Sequence, residues 1–200
     1  DEFGSVRGHE FAGEIVRVGK NVKDWRPGQR IVSDNTGHVC GRCPACERGD
    51  YLLCSEKVNL GLGYGYSGGF TKYCRIPGEI LAIHKRAIWE IPEGLEYEEA
   101  AVMDPICNAY KAIAQRSGLL PGENVVIFGT GPLGLFSVQI AKIMGALNIV
   151  VVGLEEDVKV RFGVARQLGA TEVVNGSAED VVKRCQEICG GSDSIGLVVD

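Results

Sequence analysis

The sequence predicts an α/β protein in which an irregular, mostly antiparallel β region precedes a doubly wound parallel sheet. Up to about residue 95, short apolar segments are separated by glycine and proline, a pattern typical of antiparallel strands. Farther along the chain, apolar strands recur at intervals of roughly 25 residues with a helical pattern between each pair. Such alternation is typical of a parallel sheet built from βαβ units.

The predicted strands of the first half are short. One runs through EIVRV between Gly13 and Gly19, and a second is RIVS, which follows Pro27 and Gly28. A third is FTKYCRI, which ends at Pro77. We therefore expect a small antiparallel sheet with irregular connections.

Helices and strands alternate in the second half. Glutamates that begin at Glu96 place acids in the first turn of a helix that continues, with apolar residues at helical spacing, to Gly118. The strands predicted beyond it are NVVIF, NIVVV, TEVVN and GLVVD. This change of pattern predicts two domains, residues 1–100 and residues 101–200.

Composition disfavours several classes of function. The chain has 26 acidic and 21 basic residues, and its net charge of -5 argues against a nucleic-acid partner held by phosphate contacts. No apolar run approaches about 18 residues, and the first ten residues lack the basic start of a signal peptide. We expect a cytoplasmic protein with no membrane partner. Because Asp1 is not methionine and the chain stops as the last predicted strand ends, we also expect a fragment of a longer protein.

Four of the eight cysteines fall within the string C-G-R-C-P-A-C-E-R-G-D-Y-L-L-C. Spacings of two, two and seven residues allow four thiolates to close on one tetrahedral zinc ion. A complete set of protein ligands leaves no open position, so this zinc is expected to be structural. The predicted ligands are Cys40, Cys43, Cys46 and Cys54. The remaining four cysteines are expected to be ordinary buried thiols, since nothing indicates an oxidising compartment.

The string G-T-G-P-L-G follows the predicted strand NVVIF and opens a helix. Gly129 permits a tight turn, Gly131 lets the backbone approach a pyrophosphate, and Gly134 allows the helix to pack against the strand. The helix begins with Pro132 and Leu133, and its N-terminus supplies N–H groups to phosphates. In this context the motif predicts a dinucleotide-binding turn.

The end of the next strand indicates which dinucleotide is bound. A carboxylate there binds the ribose 2′-hydroxyl and repels a 2′-phosphate, but this sequence has Gly153. Lys159 or Arg161 could meet a 2′-phosphate, which favours NADP, or these residues could form a solvated helix face. Three nearby acids could serve NAD instead: Glu155, Glu156 and Asp157. The sequence therefore leaves NADP and NAD open, with NADP favoured.

Gly8, His9 and Glu10 place an imidazole beside a carboxylate, which fits either a pair of metal ligands or an ordinary surface pair. Four strings occur in the order G-H-E-F-A-G-E-I-V-R-V-G, C-G-R-C-P-A-C, M-D-P-I-C-N-A-Y-K-A and G-T-G-P-L-G. Together they resemble the zinc-dependent medium-chain dehydrogenase family over essentially the whole chain. The resemblance implies a GroES-like catalytic domain followed by a truncated Rossmann domain.

The resemblance also implies a catalytic zinc. Its ligands would be His9 and Asp104, with Glu10 as a direct or exchanging ligand, and a further cysteine ligand would lie upstream of this chain. Asp104 followed by Pro105 also fits a helix N-cap, and the two roles are compatible.

The function implied by the resemblance is hydride transfer between NAD(P) and a secondary alcohol. A carboxylate ligand resembles the polyol dehydrogenase branch, whose substrates are polyols or sugar alcohols with or without phosphate. The string D-P-I-C-N-A resembles the threonine branch, so L-threonine 3-dehydrogenase is an alternative. A non-catalytic, zinc-stabilised nucleotide-binding module is the alternative from another class. The family also implies a homo-oligomer, and we expect the isolated fragment to be inactive.

Overall fold

A computed structural model describes residues 6–57 and 61–200 of the chain. The contacts divide the chain into two units, Asp1–Asp104 and Pro105–Asp200. This division lies four residues after the boundary expected from the sequence. Within the described ranges, none of the helices combines the length and the apolar character needed to cross a membrane.

The first unit contains a three-stranded antiparallel sheet in the order β1-β2-β3. Its strands are β1 (Ala12–Glu14), β2 (Arg30–Ser33) and β3 (Ile88–Glu90). The helices of this unit are short, namely α1 (Pro44–Glu47), a 3-10 turn (Tyr51–Leu53), α2 (Gly78–Ile83) and α3 (Tyr97–Ala101). The central strand β2 places Val32 between Ala12 and Trp89.

Two strand predictions in the first unit are wrong in extent or in existence. Of the predicted EIVRV strand only Glu14 lies in β1, and the pairing ends just beyond it, where Ile15 bonds Gln29 and Gly28. Residues 70–76 form no strand: the N–H of Phe70 bonds the carbonyl of Arg7, and the N–H of Thr71 bonds Gly69 in a tight turn. The RIVS strand is confirmed as β2.

The predicted helix after Glu96 is divided into segments. The N–H of Glu96 donates to Oε2 of Glu99 at 2.8 Å and caps α3. Helix α4 (Met103–Tyr110) follows and continues into a π-helix (Lys111–Arg116). Pro105 lacks an N–H and cannot donate to the carbonyl of residue 101, which explains the interruption between α3 and α4.

The second unit contains a four-stranded parallel sheet in the order β6-β5-β4-β7. Its strands are β4 (Asn124–Phe128), β5 (Ile149–Gly153), β6 (Glu172–Asn175) and β7 (Ile195–Val199). The connecting helices are α5 (Pro132–Ile143), α6 (Arg161–Leu168) and α7 (Val181–Cys189), with 3-10 turns at Glu155–Asp157 and Ser192–Ser194. The four predicted strands and the doubly wound class are confirmed.

The core of the second unit explains why its central strands are apolar throughout. Val125 and Ile127 of β4 pack in a cluster with Val138 of α5, whereas Val126 and Val150 pack in a cluster with α7. Both faces of the sheet are therefore covered, as expected for parallel strands. The strand order reverses at β4, so the turn that follows β4 lies at the switch point where such folds bind ligands.

Candidate metal centres and nucleotide-binding turn

The four cysteines of the loop at residues 40–54 converge on one point. All four sulfur atoms lie within 4.8 Å of one another, and Cys40 Sγ is 3.9 Å from Cys46 Sγ. A tetrahedral zinc with Zn–S bonds of about 2.3 Å requires sulfur separations of about 3.8 Å. The sulfur cluster therefore has about the size that a tetrahedral zinc ion requires.

Backbone N–H groups surround these sulfur atoms. The N–H of Cys40 donates to Cys54 Sγ and that of Cys43 donates to Cys40 Sγ, both at 3.3 Å. The backbone N–H of Cys46 lowers the pKa of Cys43, and that of Cys40 lowers the pKa of Cys54. Burial has the opposite effect on Cys46 and raises the pKa of its thiol. A divalent cation would compensate the charge of thiolates in this half-closed pocket.

The loop is anchored by apolar contacts around Val39. Val39 is 1% exposed and packs with Cys46 and Ile83. Gly41 has a φ of 72°, and a Cβ there would lie 2.9 Å from Ile83 Cγ2, so glycine is required. These contacts fix the chain on both sides of Cys40, the first predicted zinc ligand.

A second group of metal-binding side chains lies elsewhere in the first unit. His9, Glu10 and Asp104 each bring a ligand atom within 4.8 Å of the other two. His9 Nε2 is 3.7 Å from Asp104 Oδ2, and these two side chains are about one quarter exposed. One nitrogen and two carboxylate oxygens are ligands that zinc accepts, and three protein ligands leave a position open.

Asp104 is oriented by a side chain that the sequence analysis did not identify. Asn35 donates from Nδ2 to Asp104 Oδ1 at 2.9 Å. Helix α4 begins at Met103, so Asp104 lies in its first turn rather than at the N-cap position. Asn35 lies two residues beyond β2, and nothing in the local sequence marks it as a partner of Asp104.

Tyr64 is a second residue of this site that the sequence analysis missed. Its hydroxyl lies 3.5 Å from His9 Nε2, and the two rings are 5.0 Å apart. The glycine-rich segment around it fixes His9: Gly69 donates to the carbonyl of Gly8, and Gly63 and Gly68 lie directly against the Gly8 backbone. The string G-L-G-Y-G-Y-S-G-G was the available signal, because clustered glycines indicate close backbone packing.

The predicted dinucleotide turn connects β4 to α5. Gly129 has a φ of 96°, and a Cβ on Gly129 or Gly131 would meet no atom within 4 Å. The backbone of the turn is therefore open to a ligand, whereas Gly134 lies against the carbonyl of Gly129. Helix α5 begins at Pro132, and Leu133 in its first turn is 55% exposed. This geometry fits a pyrophosphate at the N-terminus of a 12-residue helix.

The predicted determinants of nucleotide choice lie at the end of β5 and beyond it. Gly153 is buried as the last residue of β5, and Lys159 is exposed. Arg161 donates from Nη1 to the carbonyl of Thr130 at 2.7 Å and lies 3.7 Å from Asp157. Arg161 therefore contacts the glycine turn, while its side chain is 50% exposed.

Comparison with known proteins shows the family. Residues 1–86 match the alcohol dehydrogenase GroES-like domain, and residues 132–199 match the zinc-binding dehydrogenase domain. The chain belongs to the zinc-dependent medium-chain dehydrogenase family, as its motifs predict.

Individual relatives cover this chain almost completely. An uncharacterised zinc-type alcohol dehydrogenase-like protein of Escherichia coli K12, YdjL, is 70% identical over 100% of this chain and 56% of its own length. D-arabitol-phosphate dehydrogenase of Enterococcus avium is 36% identical over 93% of this chain and 50% of its own length. The chain thus spans about half the length of these relatives.

A solved structure of similar fold contains a nucleotide. A zinc-binding dehydrogenase of Sinorhizobium meliloti 1021, bound to NADP, superposes with a TM-score of 0.75 and 33% identity. The match covers 90% of this chain and 48% of the other.

Proposed function

We propose that the protein is a zinc-dependent oxidoreductase that transfers a hydride between NAD(P) and a secondary alcohol of the polyol or sugar-alcohol class. The observation that carries this proposal is the convergence of His9, Glu10 and Asp104 in an open cluster separate from the four cysteines. A closed tetrathiolate site has no position for a substrate, whereas a three-ligand site has one. The two clusters therefore suit a structural and a catalytic zinc, respectively.

Each residue of the open cluster has a distinct task in this proposal. A zinc ion at this position would lower the pKa of a bound alcohol and stabilise the alkoxide during hydride transfer. His9 Nε2 and Asp104 Oδ2 would hold the ion, and Asn35 would keep the Asp104 carboxylate in orientation. Glu10, which is exposed, would serve as the exchanging ligand. A bound nicotinamide would accept the hydride of the alcohol carbon, which with loss of the hydroxyl proton to solvent would give a ketone and NAD(P)H.

The substrate class follows from the donor atoms. Two carboxylates make a harder metal site than two thiolates, and a harder site suits a substrate with neighbouring oxygens. The similarity to D-arabitol-phosphate dehydrogenase supports a polyol, phosphorylated or not. L-threonine, whose hydroxyl also has polar neighbours, stays the alternative substrate. A cytoplasmic homo-oligomer stays a prediction, which cell fractionation and light scattering would check.

A substrate panel tests the proposal on the full-length protein. Polyols, sugar phosphates and L-threonine are each supplied with NAD and with NADP, and NAD(P)H absorbance is recorded. We expect turnover of at least one polyol or sugar phosphate. Asp104→Asn should abolish turnover, whereas the control Asp24→Asn, at an exposed position of the same unit, should not. If zinc-loaded protein binds the nucleotide but none of the substrates leads to its reduction, the non-catalytic module is favoured. Turnover of L-threonine alone would favour L-threonine 3-dehydrogenase.

A further inference from the structure

The end of β5 has no room for a side chain. A Cβ placed on Gly153 would lie 2.5 Å from Phe162 Cε1, 2.8 Å from Asp157 Oδ2 and 2.9 Å from Thr130 Cγ2. A side chain at this position would therefore displace Phe162, Asp157 or Thr130. The presence of glycine therefore does not indicate a binding site for a 2′-phosphate.

The carboxylate of Asp157 fills the space beside Gly153. Asp157 ends the 3-10 turn Glu155–Asp157, which folds its side chain back over the end of β5. Oδ2 accepts a hydrogen bond from the N–H of Leu154 at 2.9 Å, and the side chain is 15% exposed. The Leu154 N–H and the Thr130 side chain lower the pKa of Asp157, so the group is charged at neutral pH.

Arg161 contacts both Thr130 and Asp157. Its Nη1 donates to the carbonyl of Thr130 at 2.7 Å, and its Nε lies 3.7 Å from Asp157 Oδ1. Thr130 is the residue between Gly129 and Gly131 of the dinucleotide turn. Arg161 thus joins α6 to the turn, and its charge faces a carboxylate.

We propose that Asp157 replaces the absent strand-end carboxylate and makes the protein select NAD over NADP. A strand-end carboxylate acts by accepting from the ribose hydroxyls and by repelling a 2′-phosphate. Asp157 reaches the same place from four residues farther along the chain, with its charge fixed beside Gly153. The inference rests on the proposed function only in taking the turn at Gly129 as the nucleotide site, and it reverses the preference for NADP that the sequence suggested.

Calorimetric titration with NAD and with NADP, in the absence of any alcohol, tests this selection on the parent protein and two variants. We expect the parent to bind NAD at least about tenfold more tightly than NADP, because a 2′-phosphate and a neighbouring carboxylate repel each other strongly. Asp157→Asn and Asp157→Ser remove the charge but keep an oxygen that can accept from Leu154. Both should reduce the NAD preference about fivefold or more, mainly through tighter NADP binding. Thermal unfolding of each variant verifies that the fold is kept.

Glu156→Gln is the matched control, because Glu156 is the adjacent acid and is exposed. It should leave the ratio of the two affinities unchanged. A parent that prefers NADP, a parent that binds neither nucleotide, or an unchanged ratio in both Asp157 variants would overturn the inference. Selective NAD binding without turnover of any alcohol would instead contradict the proposed function and leave this inference standing.

Discussion

Asn35 donates a hydrogen bond of 2.9 Å to Asp104 although 69 residues separate the two in the sequence. The bond occupies Oδ1 of Asp104, while Oδ2 lies 3.7 Å from His9 Nε2. A hydrogen bond of this kind fixes the orientation of a carboxylate that could bind a metal.

Asn35→Ala should therefore weaken metal binding at the cluster of His9, Glu10 and Asp104. We expect a loss of about tenfold or more in affinity, the usual cost of removing a residue that orients a metal ligand. Titration of zinc-depleted protein with Co²⁺, followed by its visible absorption, measures this affinity separately from that of the thiolate site. Asn21→Ala, at an exposed position of the same unit, is the control and should bind as the parent does. Equal affinities in the two variants would contradict the role of Asn35.

Cys46→Ser should remove the structural zinc. We expect the parent chain to contain close to one tightly held zinc per molecule, because the four cysteines form a complete ligand set. The variant should contain much less and unfold more readily, since structural zinc contributes directly to folding. Plasma emission spectrometry of dialysed protein gives the zinc content. Cys185→Ser changes another buried cysteine, in α7, and should keep the metal. A Cys46 variant that also kept its zinc would disprove the assignment.

Local patterns predicted the second unit well because its interactions are periodic. The apolar strands β4 and β5 are buried on both faces, and the glycines of the turn have backbone requirements that few other residues meet. The cysteine spacing was equally informative, since a tetrahedral ion restricts how far apart its ligands can be.

Long-range pairings account for what the sequence did not reveal. The FTKYCRI segment has strand-like composition, but Phe70 bonds Arg7 and the segment turns instead. Asn35 and Asp104 are hydrogen-bonded across 69 positions of the sequence, a pairing that no local pattern encodes. Gly153 was interpreted through its lack of charge, whereas its environment shows a steric requirement.

Gly153→Ala should destabilise the second unit by about 1–3 kcal/mol, because the added methyl group overpacks a filled site. The strain arises from Phe162 and Thr130, which lie under 3.0 Å from the position of the new Cβ. Gly163→Ala is the control: this helical glycine in α6 has no atom within 4 Å of a new Cβ. It should be neutral or stabilise by up to about 1 kcal/mol through helix propensity. Chemical denaturation measures both changes, and equal stabilities in the two variants would contradict the packing argument.

The stability contributed by Asp157 should depend on pH in a defined direction. Its folded-state pKa is lowered from 3.8, chiefly by the Leu154 N–H, so the folded protein binds this proton less readily than the unfolded chain. The contribution is therefore fully present above the ordinary pKa and is lost as the pH falls through the folded value. The difference in melting temperature between parent and Asp157→Asn should be constant from pH 5 to 7 and shrink below about pH 4. For the control Glu156→Gln, the difference in melting temperature from the parent should not shrink in acid. If the difference for Asp157→Asn instead grew in acid, the charged form of Asp157 would not be the stabilised one.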